Sequence, residues 1–318
     1  MCDDVEALRK VDEFMLRIAN GDAQLKRCLQ KNLGYCLTGH MHERVFLLWW
    51  GKGSNGKSTV CELMKLILGN FYGVAPKSVF VGSTAKNGAG AGAASPHLVP
   101  LIGVRMAVLA ETAEAEKLNV ELLKSVSGSD TISYRPLYGA QSTFTPVCKL
   151  IMQTNHKPNF DCQDTAVTDR FRMIPFLARF VKEKPGPGEF KSDPELVKSL
   201  RTDLLDAFFT WVLEGAVMWY AEGLGEVPEI ARAETSAYMA ELDDVSRFVE
   251  DCCETGQGYE AKASDLYNRY KRWAEENGIV TRSLTAFGTR MKELHTQDKK
   301  RTGNVYQGIR LPAVAFQI

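Results

Sequence analysis

Net charge is what this sequence lacks most plainly: among its 318 residues, Lys+Arg and Asp+Glu tie at 39 each. No global field therefore draws the chain to a polyanion or a membrane, and any nucleic-acid binding must come from local patches. Paired cysteine motifs are missing too. The eight cysteines (Cys2, Cys28, Cys36, Cys61, Cys148, Cys162, Cys252 and Cys253) form no Cys-x-x-Cys and no regular framework. That spacing argues against a zinc ribbon or a disulfide scaffold and predicts reduced, buried thiols in an intracellular protein. The opening Met1-Cys2-Asp3-Asp4 is acidic where a secretory signal needs a basic start. The longest apolar stretch, Asp203 to Leu224, is broken by Asp206, Glu214 and Glu222. Its Leu205, Phe208, Phe209, Val212, Ala216 and Tyr220 recur at helical spacing, so it predicts a core helix of a soluble protein rather than a membrane span. No internal repeat is found.

With 45% hydrophobic and 25% charged residues, the chain is neither disordered nor a collagen or coiled-coil rod, and its length accommodates two or three domains. Residues 1–44 read as amphipathic helices, with Val11, Phe14, Met15 and Ile18, then Leu25, Cys28 and Leu29, on apolar stripes. The run Val45–Trp50 reads as a parallel strand covered on both faces. A helix from about Lys57 to Leu68 stops at Gly69. Further strands are expected at Met106–Ala110 and Leu150–Thr154, with a hairpin-like stretch between them. Asn87–Ala94 reads as a mobile Gly/Ala loop, and Glu183–Gly188 as a connection.

Chemistry enters at Gly51-Lys52-Gly53-Ser54-Asn55-Gly56-Lys57-Ser58, which fits G-x-x-x-x-G-K-[ST] between a strand and a helix. In such a loop, backbone N–H groups and the helix N-terminus face phosphates. Lys57 would reach the β- and γ-phosphates, and Ser58 would hold Mg²⁺. Glu111 follows the strand-like Met106–Ala110, with Glu114 three residues on; an acid at the carboxyl end of a neighbouring parallel strand sits beside the γ-phosphate. Either could serve the metal or the attacking water. Asn155 ends another apolar strand and could orient that water, although Asn shortly before Pro158 is also ordinary turn chemistry. Arg170 and Arg172 follow, as a finger across a subunit contact or as partners of Asp169 or Asp164.

Together, Gly53–Thr59, the single Glu111, the Asn155 strand and Asp169-Arg170-Phe171-Arg172 resemble superfamily 3 helicases. The stretches Leu33–Gly39, Ser127–Asp130, Tyr134–Tyr138 and Ile174–Phe176 resemble the phage/plasmid primase-helicase branch, which includes the poxvirus enzyme. The resemblance covers about residues 25–182 closely. It implies an α/β fold: an AAA+-like P-loop ATPase core (45–181) between an N-terminal helical segment (1–44) and a helical subdomain (182–242). It implies ATP and Mg²⁺ bound at subunit interfaces of a hexameric ring, with single-stranded and forked DNA as partners. Carried over, Gly51, Gly53, Ser54, Asn55, Gly56, Lys57, Ser58 and Thr59 hold the nucleotide, and Ser58 and Glu111 hold the metal. Asn155 is the sensor, and Arg170, then Arg172, is the finger. A DNA-contacting hairpin falls at 131–144. Its tip, Pro136-Leu137-Tyr138-Gly139, lacks the family's usual basic residue, leaving Arg135 and Tyr138, and more weakly Lys124, for DNA. Tyr138 could equally pack at a subunit contact. The family usually carries a primase domain upstream, so a helicase fragment and a stand-alone subunit both remain open.

Residues 243–318 read as a separate small domain. From Arg282 to Arg310 basic residues outnumber Glu293 and Asp298, whereas acidic residues dominate Asp243–Thr281. Ser283–Met291 resembles a recognition helix and Lys299–Asn304 a wing, as in the winged-helix domains that end many phage primase-helicases. This implies duplex contacts by Arg290, Lys299, Lys300 and Arg301, or simple packing on the ring. The rival to a helicase is a non-unwinding replication initiator whose ATPase controls assembly.

Overall fold

The computed structural model describes residues 2–76, 80, 95–109, 118–158, 160, 165–301 and 303–312. Glu111, Glu114, Cys162, Asp164 and the Asn87–Ala94 loop lie outside the described residues. The chain forms two compact units, Met1–Ser236 and Ala237–Ile318.

The first unit opens with helices α1 (Val5–Ile18) and α2 (Ala23–Cys36). Asp4 and Asp22 accept backbone N–H bonds at their first turns, as N-caps do. The stripes read from the sequence are the buried faces: Val11, Phe14, Met15 and Ile18, then Leu25, Cys28 and Leu29. Next come β1 (Phe46–Trp50), α3 (Lys57–Leu68), β2 (Tyr72–Ala75) and β3 (Met106–Leu109). Helix α4 (Val120–Gly128) precedes a hairpin of β4 (Ile132–Tyr134) and β5 (Ser142–Phe144). After β6 (Lys149–Thr154), α5 (Thr165–Thr168) and β7 (Phe171–Pro175), the short strands β8 (Arg179–Val181) and β9 (Glu189–Lys191) pair with each other. Helices α6 (Pro194–Leu200), α7 (Leu205–Glu222) and α8 (Glu229–Leu242) follow.

The central sheet is all parallel, in the order β2-β3-β6-β1-β7. Its strands are buried almost end to end, which is why they read as continuous apolar runs. The order corrects one expectation. The strand leading to Glu111 is not the neighbour of β1, because β6 is inserted between them.

The apolar stretch broken by acids is indeed the helix α7, and it packs against α2. The two backbones cross so closely that a Cβ on Gly34 would lie 2.1 Å from the Ala216 nitrogen. Among the described residues, no helix is long and apolar enough to cross a membrane. The seven described cysteines are free thiols. Burial pushes Cys28 up to about 11, and Cys36 and Cys148 to about 12, so these thiols stay protonated and unreactive at neutral pH.

One buried cation stands out. Lys149, at the start of β6, is 1% exposed. Its ammonium donates to the carbonyl and hydroxyl of Thr38 and lies 4.4 Å from the Tyr35 ring centroid. Burial nevertheless pulls its pKa down to about 8 from an ordinary 10.5. Above pH 8 the unfolded chain therefore holds more protons than the folded one, and stability rises with pH up to about 10.5. Urea melts should show wild type gaining about 2 kcal/mol relative to Lys149→Met between pH 7.5 and 9.5. A pH-independent difference would mean that the ammonium is not desolvated.

The second unit contains α9 (Asp244–Cys252), β10 (Glu254–Lys262), α10 (Ala263–Glu276), α11 (Leu284–Leu294), β11 (Gln297–Lys300) and β12 (Gly303–Arg310). Its strands form an antiparallel sheet in the order β10-β12-β11. Phe248, Leu266, Tyr270, Trp273, Phe287, Met291 and Tyr306 make its own core.

Candidate functional site

All five strands of the parallel sheet end on one edge, and the Gly51–Ser58 loop leaves that edge from β1. From β1 the chain goes to β2 and β3 on one side, then returns through β6 to β7 on the other. Ligands of open α/β sheets bind outside the carboxyl ends of the strands at such a switch point.

The loop takes left-handed backbone at Gly53 (φ 91°), Ser54 (φ 49°) and Gly56 (φ 88°), which turns it tightly into α3. At Gly56 a side chain is excluded twice over, since a Cβ there would meet Ile18 Cδ1 at 2.0 Å. No side chain caps the N-terminus of α3, so its first-turn N–H groups point into the site unclaimed by a cap. Ser58 is exposed at the helix start, and Thr59 is half-buried behind it.

Lys57 is 6% exposed, not the solvated lysine that a loop position suggests. Its Nζ donates to the Gly51 carbonyl at 2.6 Å and to Asn155 Oδ1 at 3.1 Å. The loop lysine and the terminal amide of β6, far apart in sequence, are thus in contact. Asn55 is also buried, and its amide donates to the Phe176 carbonyl at 3.1 Å, pinning the loop to the end of β7. The Phe180 N–H donates to the Ser54 carbonyl at 2.7 Å, so β8 lies against the loop. Glu111 cannot be placed because it lies outside the described residues.

Arg170 and Arg172 are at the other end of the sheet. Phe46 pairs with Phe171 and Trp50 with Pro175, so Arg170 stands at the amino-terminal edge while the Gly51 loop leaves the carboxyl edge. At about 3.3 Å per residue, some 17 Å of strand separates them, farther than an arginine side chain reaches. Arg170 is partly buried and donates to the Ala166 carbonyl. Arg172 lines a separate cleft with Glu226 and Arg232. Neither arginine can serve the Lys57 of its own chain.

The hairpin is as the composition suggests, with Ile132 opposite Phe144 and Tyr134 opposite Ser142. Its tip holds Tyr138 fully exposed, at φ 61°. Such backbone is uncommon for a non-glycine residue. Arg135 Nε donates to the Gly139 carbonyl at 3.1 Å and closes the tip. Lys124 is half-buried on α4.

In the second unit, Arg290, expected among the DNA contacts, is instead engaged internally. Its Nε donates to Asp243 Oδ2 at 3.0 Å and its Nη1 to Glu293 Oε2 at 2.6 Å. Burial pushes the Asp243 carboxyl up, but hydrogen bonds from Arg290 and Ser246 outweigh it and hold the carboxyl below its ordinary value. Lys300 pairs with Glu260, whereas Lys299 and Arg301 are exposed beside the β11–β12 turn. The Arg290 partner was hidden from the sequence because Asp243 lies 47 residues away.

A mixed α/β protein with its site at the switch point of a parallel sheet is thus defined. Residues 240–308 match the family described as Poxvirus D5 protein-like, and residues 49–170 match a family of unknown function, DUF5906. The chain is 26% identical over 289 residues to "Putative helicase L207/L206" of Acanthamoeba polyphaga mimivirus, covering 86% of this chain and 29% of that protein. It is 30% identical over 272 residues to "Putative helicase 022R" of Frog virus 3, covering 80% and 27%. "Putative primase C962R" of African swine fever virus is 24% identical over 77% of this chain and 26% of its own length. The chain spans less than a third of the length of these curated relatives. Among solved structures, the apo C terminal region of NrS-1 superposes with a TM-score of 0.54 at 14% identity, over 94% of this chain and 74% of that one. That likeness concerns the fold. The chain thus carries a Poxvirus D5 protein-like domain and is similar to proteins named putative helicases and primases of large DNA viruses, consistent with the superfamily 3 primase-helicase resemblance read from its motifs.

Proposed function

We propose that the chain is an ATP-dependent DNA helicase of viral replication, an AAA+-like P-loop ATPase working as a homo-hexameric ring on single-stranded DNA. The observation that carries this reading is the contact between Lys57 and Asn155 at the switch-point edge, with Arg170 at the opposite edge of the same sheet. The first pair supplies half of a nucleotide site. The arginine, out of reach of its own loop, would be the other half, contributed to a neighbouring protomer.

The donor set fits a magnesium nucleotide. The uncapped N–H groups of α3, the Lys57 ammonium and the Ser58 hydroxyl would hold the phosphates and one Mg²⁺ position, the metal otherwise being completed by phosphate oxygens and Glu111. Bound Mg²⁺ would neutralise charge on the transferring phosphoryl group. Lys57 would release its Gly51 carbonyl for the phosphates, and Asn155 would orient the attacking water.

The exposed Tyr138 and the neighbouring Arg135 would grip single-stranded DNA in the pore, by stacking and phosphate contact. Tyr138→Ala should weaken single-strand binding by about five-fold or more, since a base–aromatic stack contributes about 1–3 kcal/mol. It should leave DNA-free ATPase intact. Unchanged fluorescence-anisotropy binding would make Tyr138 a subunit contact instead.

The second unit supports a winged-helix reading, with α11 as the helix and β11–β12 as the wing. Lys299 and Arg301 are then the wing contacts, and Arg290 holds the unit together. Neutralising Lys299 and Arg301 together should lower the duplex salt slope by about 2, at about 0.9 per phosphate contact. Arg290→Gln should lower the melting temperature and leave that slope unchanged. The opposite pattern would restore Arg290 to the DNA face.

A further inference from the structure

Helix α7 carries more apolar surface than its own chain covers. Phe208, Trp211, Val212, Ala216 and Trp219 are buried. Phe209 and Tyr220, which helical spacing assigns to the same core, are instead 39% and 64% exposed, and Val217 is 64% exposed. With the half-buried Leu213 they form one stripe on the outer face, at intervals of four, four and three residues. Scattered exposed apolar residues are ordinary, but a continuous row along one helix face marks an interaction surface.

The two ends of this stripe carry opposite chemistry. Asp206 is exposed on the same face, one turn before Phe209. At the far end the exposed His40 imidazole stands edge-on to the Tyr220 ring, 5.8 Å between centroids, and His42 stacks on Trp219 at 5.1 Å. Among the described residues, neither Asp206 nor His40 has a charged partner in its own chain. The row is also symmetric about Leu213. Phe209 and Val217 lie four residues to either side of it, and Asp206 and Tyr220 seven. Turned end for end, a second α7 therefore sets Phe209 against Val217, Leu213 against itself, and Asp206 against the Tyr220–His40 end.

We propose that this stripe is the contact face for a second copy of the chain, two α7 helices packing antiparallel about a two-fold axis at Leu213. The match of the row to its own reverse, in apolar residues and in charge, favours a second copy over an unrelated partner. Such a contact is isologous, so each pairing occurs twice. Each Asp206 carboxylate accepts from the His40 imidazole and the Tyr220 hydroxyl across the axis. At 1.5 Å per residue the row is about 21 Å long, short for an obligate interface, so the association is weak and concentration-dependent. It is separate from the contact inferred for Lys57 and Arg170, which is head-to-tail and joins unlike surfaces. Neither reading depends on the other.

Sedimentation velocity of the whole nucleotide-free chain, over a wide range of concentration, tests this. Wild type should pass from one copy to two as concentration rises. Val217→Asp, at an exposed position where the fold tolerates a charge, should weaken pairing about ten-fold or more, because the contact would bury an unpaired carboxylate twice. His40→Glu and Asp206→Lys should each weaken it about three-fold or more, two surface charge contacts being lost or reversed at once. Mixing those two variants should restore pairing, since the mixed pair has opposite charges at both ends. Wild type remaining a single copy throughout, or assembly of any size that Val217→Asp leaves unchanged, would overturn the proposal. Loss of pairing in Val217→Asp without rescue in the mixture would overturn the antiparallel arrangement.

Discussion

Lys57→Ala should lower ATP hydrolysis by about a hundred-fold or more, the usual loss when one charge-stabilising donor leaves a transition state. The fold carries a second, smaller consequence. Because Lys57 is 6% exposed and bridges the Gly51 carbonyl to Asn155, alanine leaves both acceptors without that donor. The expected destabilisation is about 1 kcal/mol, enough to shift a melting curve but not to unfold the chain. Steady-state phosphate release, read beside a thermal melt of the same preparation, separates the two effects. Normal turnover in a folded mutant would remove Lys57 from the site.

Arg170→Ala should be as damaging by itself and yet be rescued in mixed assemblies. With Arg170 at the amino-terminal edge of β7 and Lys57 at the carboxyl edge of β1, each protomer would give one half-site to each of two neighbours. Mixing Arg170→Ala with Lys57→Ala therefore rebuilds some interfaces that keep both groups. An arginine finger is worth about a thousand-fold or more in rate, so even a minority of intact interfaces should lift activity well above either mutant alone. Mixed assemblies without rescue would make Arg170 structural and direct attention to Arg172, on the same strand and no closer to its own loop.

Much of this was legible in the sequence because it is local. Stripes at helical spacing announced α1, α2 and α7, continuous apolar runs announced the parallel strands, and the glycine pattern announced the loop into α3. The hairpin around Tyr138 was readable from turn chemistry flanked by short strand-like segments. What the sequence hid is what depends on contacts between distant segments. Strand order is one case: nothing in Met106–Leu109 reveals that β6 lies between it and β1. The charge partners are another. Arg290 looks like a solvated base on a recognition helix until Asp243 is brought against it, and Lys57 looks exposed until Asn155 covers it. The outer stripe of α7 was hidden for a third reason. Phe209 and Tyr220 recur at helical spacing, and an apolar residue that faces outward has the same sequence pattern as one that fills a core.

The most direct measurement is strand displacement on a forked duplex, followed by release of a labelled strand, with ATP and Mg²⁺ present or withheld. The account predicts ATP-dependent release by wild type, none by Lys57→Ala, and ATP hydrolysis with little release by Tyr138→Ala. DNA-stimulated hydrolysis without strand release by wild type would contradict the helicase reading and favour an initiator that uses ATP only to assemble.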